Sequence, residues 1–166
     1  MTAAHRRRRG PVALVLLLLV VAHFYVRPRL WDDRTAPDFL LLALMLFAIR
    51  SRPGAAAVAG FVVGLVTDVL SPARFGAGAL SHTLVGYLAA WGRAVFFPDN
   101  LLVNAGLFAL GTWLRTLIVL VASGVATGEL LNTIAIWSPI QAVLTAFAGV
   151  VVVLTFREWL SLRLEE

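Results

Sequence analysis

Asp68 is the residue best placed to do chemistry in this sequence. It closes the stretch Gly60-Phe-Val-Val-Gly-Leu-Val-Thr-Asp68, which lies within a long apolar run. A carboxyl group there can pair with a cation, carry a proton or order a polar network. At membrane depth it costs on the order of 2.5–3.5 kcal/mol by insertion scales, so it turns to protein or to a cavity. Gly60, Gly64 and Asp68 are spaced four apart and share one helix face. The two glycines clear that face of bulk and let a second helix approach. The helix that carries them is therefore expected at the centre of the molecule, with its Gly/Asp face turned inward.

Arg115 is the expected partner. Counted from the inner ends of their helices, Asp68 and Arg115 lie about 15 and about 14 residues in, or ~22 and ~20 Å at helical rise. Pairing lowers the cost of both charges, so the expectation is an Asp68–Arg115 ion pair or a shared polar network. Arg115 falls on one face with Asn104, Phe108 and Gly111, and Gln141 on another with Ser138, Thr145 and Gly149. His82 and Gly86 belong to a fourth apolar segment, and His23 ends the first. These groups converge on one outer-half region. It reads either as a cavity or partner site open to the outside, or as interhelical hydrogen bonding, and the two are compatible. His23 and His82 are read as headgroup-boundary residues, not as metal ligands or proton carriers. Gly60 and Gly64 are read as packing residues.

Other chemistries lack their residues. The chain has no Cys, which excludes thiol catalysis, disulfides and thiolate metal sites. It has no His-Glu-x-x-His helix, no Gly-x-Ser-x-Gly and no phosphate-binding glycine loop. Asp38 and Asp68 could form a carboxylate pair, but a nearby Arg would keep both ionised and tune neither as an acid. Neither enzymatic activity nor a cofactor is expected. Of 166 residues 60 % are apolar and only 14 % charged, the composition of a polytopic membrane protein. The net charge of +5 rests on Arg alone, for there is no Lys. The arginines are scattered at loop ends, which favours anionic lipid over nucleic acid as their partner.

The elements that must position these residues are six helices in an all-α transmembrane bundle, at about 11–26, 37–49, 55–70, 79–97, 101–123 and 135–156. The first run lacks a small-x-small cleavage pattern and is read as an uncleaved transmembrane helix, not a signal peptide. Pro37 can open the second, which is the weakest: about 13 residues give ~20 Å against a ~30 Å hydrocarbon core. Asp38 would then sit near the outer boundary. Gly128 and Glu129 are placed in the loop before the sixth. An N-terminus and C-terminus in the cytoplasm put Arg6 to Arg9, Arg50, Arg52, Arg93, Arg157 and Arg163 inside. Arg27, Arg29, Arg34 and Arg74 fall outside, a distribution that obeys the positive-inside rule. Arg6 to Arg9 act as the orientation signal. Trp31 and Trp137 mark the outer boundary, Trp91 and Trp159 the inner one.

Pro37-Asp-Phe-Leu-Leu-Leu42, Gly60-x3-Gly64-x3-Asp68, Gly76 with Ala79-Leu80, and Thr83-Leu-Val-Gly86-Tyr-Leu88 follow one another in order. In this order and spacing the chain resembles the MreD family of rod shape-determining membrane proteins, most clearly over residues 37–88. The resemblance implies a non-enzymatic inner-membrane scaffold of the bacterial elongation machinery. It implies a bitopic MreC-like partner, with MreB, RodA and the elongation penicillin-binding transpeptidase, and a role in peptidoglycan synthesis and rod shape. It also implies a fold similar to the substrate-binding subunits of energy-coupling-factor vitamin transporters. That similarity supplies the alternative reading, a small-molecule capture subunit whose outward pocket is lined by Trp113 and Arg115. In the scaffold reading, the face around Asp68 accepts a partner's helix and the Asp68–Arg115 pair fixes its register. A proton- or ion-coupled transporter using Asp68 is a third reading, opposed by the nearby Arg.

Overall fold

The structure, a computed structural model, describes residues 9–30, 32, 34–95 and 100–157. Among these residues all regular structure is helical. The helices are α1 (Arg9–Tyr25), α2 (Phe39–Ala48), α3 (Pro53–Leu70), α4 (Ala77–Val95), α5 (Leu101–Ala122) and α6 (Thr127–Thr155). The expected count of six helices holds. By length and composition α3, α5, α6 and the segment Gly10–Arg29, which runs past the end of α1, can cross a membrane. Arg6 to Arg8, Trp31, Trp159, Arg163 and the expected end of the fourth helix lie outside the described residues, as do the side chains of Arg9 and Arg93. The end where α1, α3 and α5 finish is called the outer end here, after the arginine count.

α3 buries only Ala56, Gly60, Gly64 and Asp68, one residue per turn along a single face. Val58, Phe61, Val62, Leu65, Val66 and Val69 point outward. Small and polar residues inside with large apolar ones outside is the pattern of a helix in lipid, where close backbone approach supplies the packing. The inward face lies against α4, which runs antiparallel to it. A Cβ on Gly60 would come within 2.7 Å of the His82 carbonyl carbon, and one on Gly64 within 2.5 Å of Ala79 Cα. From the other side, a Cβ on Gly86 would meet Ala56 O at 2.7 Å. The inward Gly/Asp face expected of this helix is therefore present.

Its expected central position is not. The centre is α2, in which Leu40, Leu41, Leu42, Ala43, Leu44, Met45, Leu46 and Ala48 are all buried. Met45 packs at Gly111 of α5, Leu42 and Phe108 at Gly149 of α6, and Leu44 at Gly86 of α4. Val15 and Leu19 of α1 join the same core. A helix apolar on every side is stable only when wrapped on every side. Ten residues of helix give ~15 Å, about half a hydrocarbon core. Pro37 does not open the helix; Asp38 is its N-cap, and helix begins at Phe39.

α6 starts eight residues earlier than the expected 135, so Gly128 and Glu129 lie in helix and not in a loop. The preceding turn is short because Gly124, at φ +63°, reverses the chain directly after α5. Within α6, Thr133–Trp137 is a π-helical turn, in which Ser138 N–H donates to Thr133 O. In that register residue 139 would donate to Ile134 O, but Pro139 has no N–H. Trp113 Nε1 of α5 donates to Ile134 O instead, at 3.3 Å.

Candidate functional site

Asp68 is filled by its own hairpin. Its Oδ2 accepts from the backbone N–H groups of Gly76 (3.0 Å) and Ala79 (2.8 Å), and its Oδ1 from Gly78 N–H (2.8 Å). The first N–H groups of a helix have no partner within it, and its positive end favours an anion, so a carboxylate from the preceding helix suits α4 well. Gly76, at φ +95°, makes the turn. Gly78 leaves room for the carboxylate, since a Cβ there would collide with Asp68 Oδ1 and Thr67 Oγ1. The expected Asp68–Arg115 pair is thus overturned. Depth along the two helices is comparable, but the Gly-rich chain after Asp68 folds back over the carboxylate first.

Arg115 faces Asp38. Its Nε lies 3.8 Å from Asp38 Oδ2, and the Asp38 side chain is only 4 % exposed. Asp38 is enclosed by protein, because the chain before α2 enters the bundle before it becomes helical. Irregular backbone at such depth needs protein partners for its polar groups. Each is supplied by a residue that the sequence marks out as polar. Gln141 Nε2 donates to Ala36 O at 3.1 Å, and Thr145 Oγ1 accepts from Asp38 N–H at 3.1 Å. Asp38 Oδ1 accepts from Leu41 N–H at 3.0 Å, and His23 Nδ1 from Leu40 N–H at 3.2 Å. His23 Nδ1 also lies 3.6 Å from Asp38 Oδ1. As Nδ1 is already an acceptor, the neutral ring makes no hydrogen bond to that oxygen.

His82 is enclosed by protein and His23 is half-buried. His82 is 0 % exposed. Its Nδ1 donates to Gly78 O at 2.8 Å, while Nε2 is buried and has no hydrogen-bond partner among the described residues. The stripes expected on α5 and α6 do face inward: Asn104, Phe108, Gly111, Ser138, Gln141, Thr145 and Gly149 are all buried. Of the seven candidate residues, Gly60, Gly64, Asp68, His82 and Gly86 form the α3–α4 contact. Arg115 and Gln141 belong to the α2 entry.

Above Asp38, towards the outer end, is a cavity of about 140 Å³ lined by Arg27, Arg34, Arg74, Arg115, Ser138 and Gln141, among others. A second space of about 350 Å³ shares Arg34 and Arg74 with it and is bordered by Glu129 and Asn132. The Arg34 guanidinium carbon sits 5.6 Å from the Trp137 ring centroid, a cation–π contact that holds it at the rim. Trp113 does not line this space and is turned to Ile134 O. Sequence reasoning counted Arg27, Arg34 and Arg74 as orientation markers and missed their convergence. The available signal was that charges from separate loops share one end of a small bundle.

The chain matches the family model described as MreD, rod shape-determining protein MreD, over residues 7–163. No curated protein matches it, and no solved structure does. The match spans nearly the whole chain, and the helices long and apolar enough to cross a membrane fit a multi-pass protein of the bacterial inner membrane. The chain therefore belongs to the MreD family of rod shape-determining proteins.

Proposed function

We propose that the protein is a non-enzymatic scaffold subunit of the cell-elongation machinery. It docks a bitopic MreC-like partner and, with MreB, RodA and the elongation penicillin-binding transpeptidase, helps to organise peptidoglycan synthesis along the rod. Both termini are cytoplasmic in this reading. The observation that carries it is the family match over residues 7–163. The use of the interior polar groups supports it. Asp68 and Asp38 cap helices, and His23, Gln141 and Thr145 hold the backbone that enters α2. Such groups stiffen a body on which partners assemble. The Gly60/Gly64 face is occupied by α4, so a partner's helix docks on the outward side chains of the bundle and not on the Asp68 face.

The test is affinity purification of the tagged protein from membranes in mild detergent, followed by mass spectrometry of proteins and small molecules. Recovery of a bitopic coiled-coil membrane protein with cell-wall synthases is expected. Recovery of an ATPase-driven transporter module with a vitamin-like ligand would overturn the scaffold reading in favour of substrate capture. The observation favouring that second reading is the outer cavity, whose inner chamber of about 140 Å³ borders a second space of about 350 Å³, against ~300–1,000 Å³ for ordinary ligand pockets.

A further inference from the structure

We propose that the arginine-lined cavity at the outer end binds a phosphate-type anion, carried either by a lipid headgroup or by a soluble phosphorylated molecule. This goes beyond the scaffold reading and does not depend on it.

Charge is the first argument. Arg27 and Arg34 from the α1–α2 connection, Arg74 from the α3–α4 connection and Arg115 from α5 border one cavity of about 140 Å³. Like charges from three parts of the chain repel one another and converge only where something negative offsets them. Asp38 lies 3.8 Å from Arg115 Nε, and among the described residues Arg34 and Arg74 form no ion pair. The guanidinium fork matches the oxygens of a phosphate and holds them in pairs.

Ser138 is the second, independent argument. It is 1 % exposed, it lines the cavity, and its Oγ has no hydrogen-bond partner among the described residues. A buried hydroxyl in a helix ordinarily bonds back to a carbonyl one turn earlier. Thr83, Thr112 and Thr116 do so in this chain. Ser138 does not, and it follows the π-helical turn Thr133–Trp137, a local widening that recurs at functional sites. Its hydroxyl is left to meet an acceptor in the cavity. The inner chamber's volume equals roughly five waters at ~30 Å³ each, which suits one small anionic group.

The test uses the full-length protein. One arm titrates inorganic phosphate against the protein in neutral detergent and follows the thermal midpoint. The other compares phosphatidylcholine nanodiscs with and without phosphatidylglycerol and identifies retained lipid by native mass spectrometry. Saturable binding in either arm is expected, weakened at least tenfold by Arg74→Gln and by Ser138→Ala. Arg29→Gln removes the same charge near the same end outside the cavity and is expected to leave binding unchanged. Phosphate binding without lipid retention assigns a soluble ligand; selective retention of phosphatidylglycerol assigns a headgroup. Absence of saturable binding in both arms would overturn the proposal. So would equal weakening by Arg29→Gln and Arg74→Gln, which would mark diffuse charge and no site.

Discussion

Asp38 Oδ2 stands 3.8 Å from Arg115 Nε, and this contact ties the interior start of α2 to the middle of α5. Removing one partner of a buried pair leaves the other charge uncompensated, at a cost of ~3–5 kcal/mol. Arg115 keeps 23 % of its side-chain surface exposed, so the low end of that range, about 3 kcal/mol, applies. Asp38→Ala also removes the cap on Leu41 N–H and is expected to be the more damaging change. Asp38→Asn keeps an acceptor for that cap, and Arg115→Gln added to it should cost little more. Thermal midpoints of the four variants in one detergent check this. A double variant as unstable as the sum of the singles would remove the pair.

Asp68 and Arg115 are expected to behave independently. They share no hydrogen-bond partner, and independent sites add within about 0.3–0.5 kcal/mol. Asp68→Asn leaves one acceptor oxygen for three N–H groups. It should destabilise by a few kcal/mol, given ~1.5–3 kcal/mol for each hydrogen bond to a charged group. A double-mutant cycle over Asp68→Asn and Arg115→Gln should give coupling near zero. The cycle over Asp38→Asn and Arg115→Gln should give a clear coupling.

The sequence made the α3 face legible because three residues at i, i+4 and i+8 carry the message locally. The stripes on α5 and α6 were legible for the same reason. The central place of α2 was not. Leu40 to Leu46 are apolar without periodicity, and a short run of that kind reads as a weak span and not as a wrapped core. The Asp68 pairing misled because depth along a helix says nothing of what a loop does next. Gly76 and Gly78, eight and ten residues on, were the local sign that backbone N–H groups could fold back onto the carboxylate. Asp38 directly before an apolar run was likewise a legible N-cap. Its burial depended on Gln141 and Thr145 more than a hundred residues away.

Gly60→Ala and Gly64→Ala should each separate α3 from α4. The added methyl would meet backbone atoms of His82 in the first case, and of Gly78 and Ala79 in the second, and backbone cannot swing aside. Overpacking of this kind costs ~1–3 kcal/mol, and more where nothing yields. Gly106→Ala is the control. No atom lies within 4 Å of its added Cβ, and mid-helix Ala is favoured over Gly by up to ~1 kcal/mol. Monodisperse yield in size-exclusion chromatography should fall for the first two and hold or rise for the third.

The π-helical turn gives the sharpest test of local backbone chemistry. Ile134 O is stranded because residue 139 is proline, and Trp113 Nε1 fills the gap across the α5–α6 contact. Trp113→Phe keeps most of the ring and removes the donor. It should cost about 1 kcal/mol, the low end of the range for an acceptor left without a partner, since the bond is only part-buried. Pro139→Ala restores a backbone N–H in the right register to reach Ile134 O. In that background Trp113→Phe should cost much less. Thermal midpoints of the single and double variants decide it. Equal losses in both backgrounds would mean that Trp113 matters through its ring and not through its hydrogen bond.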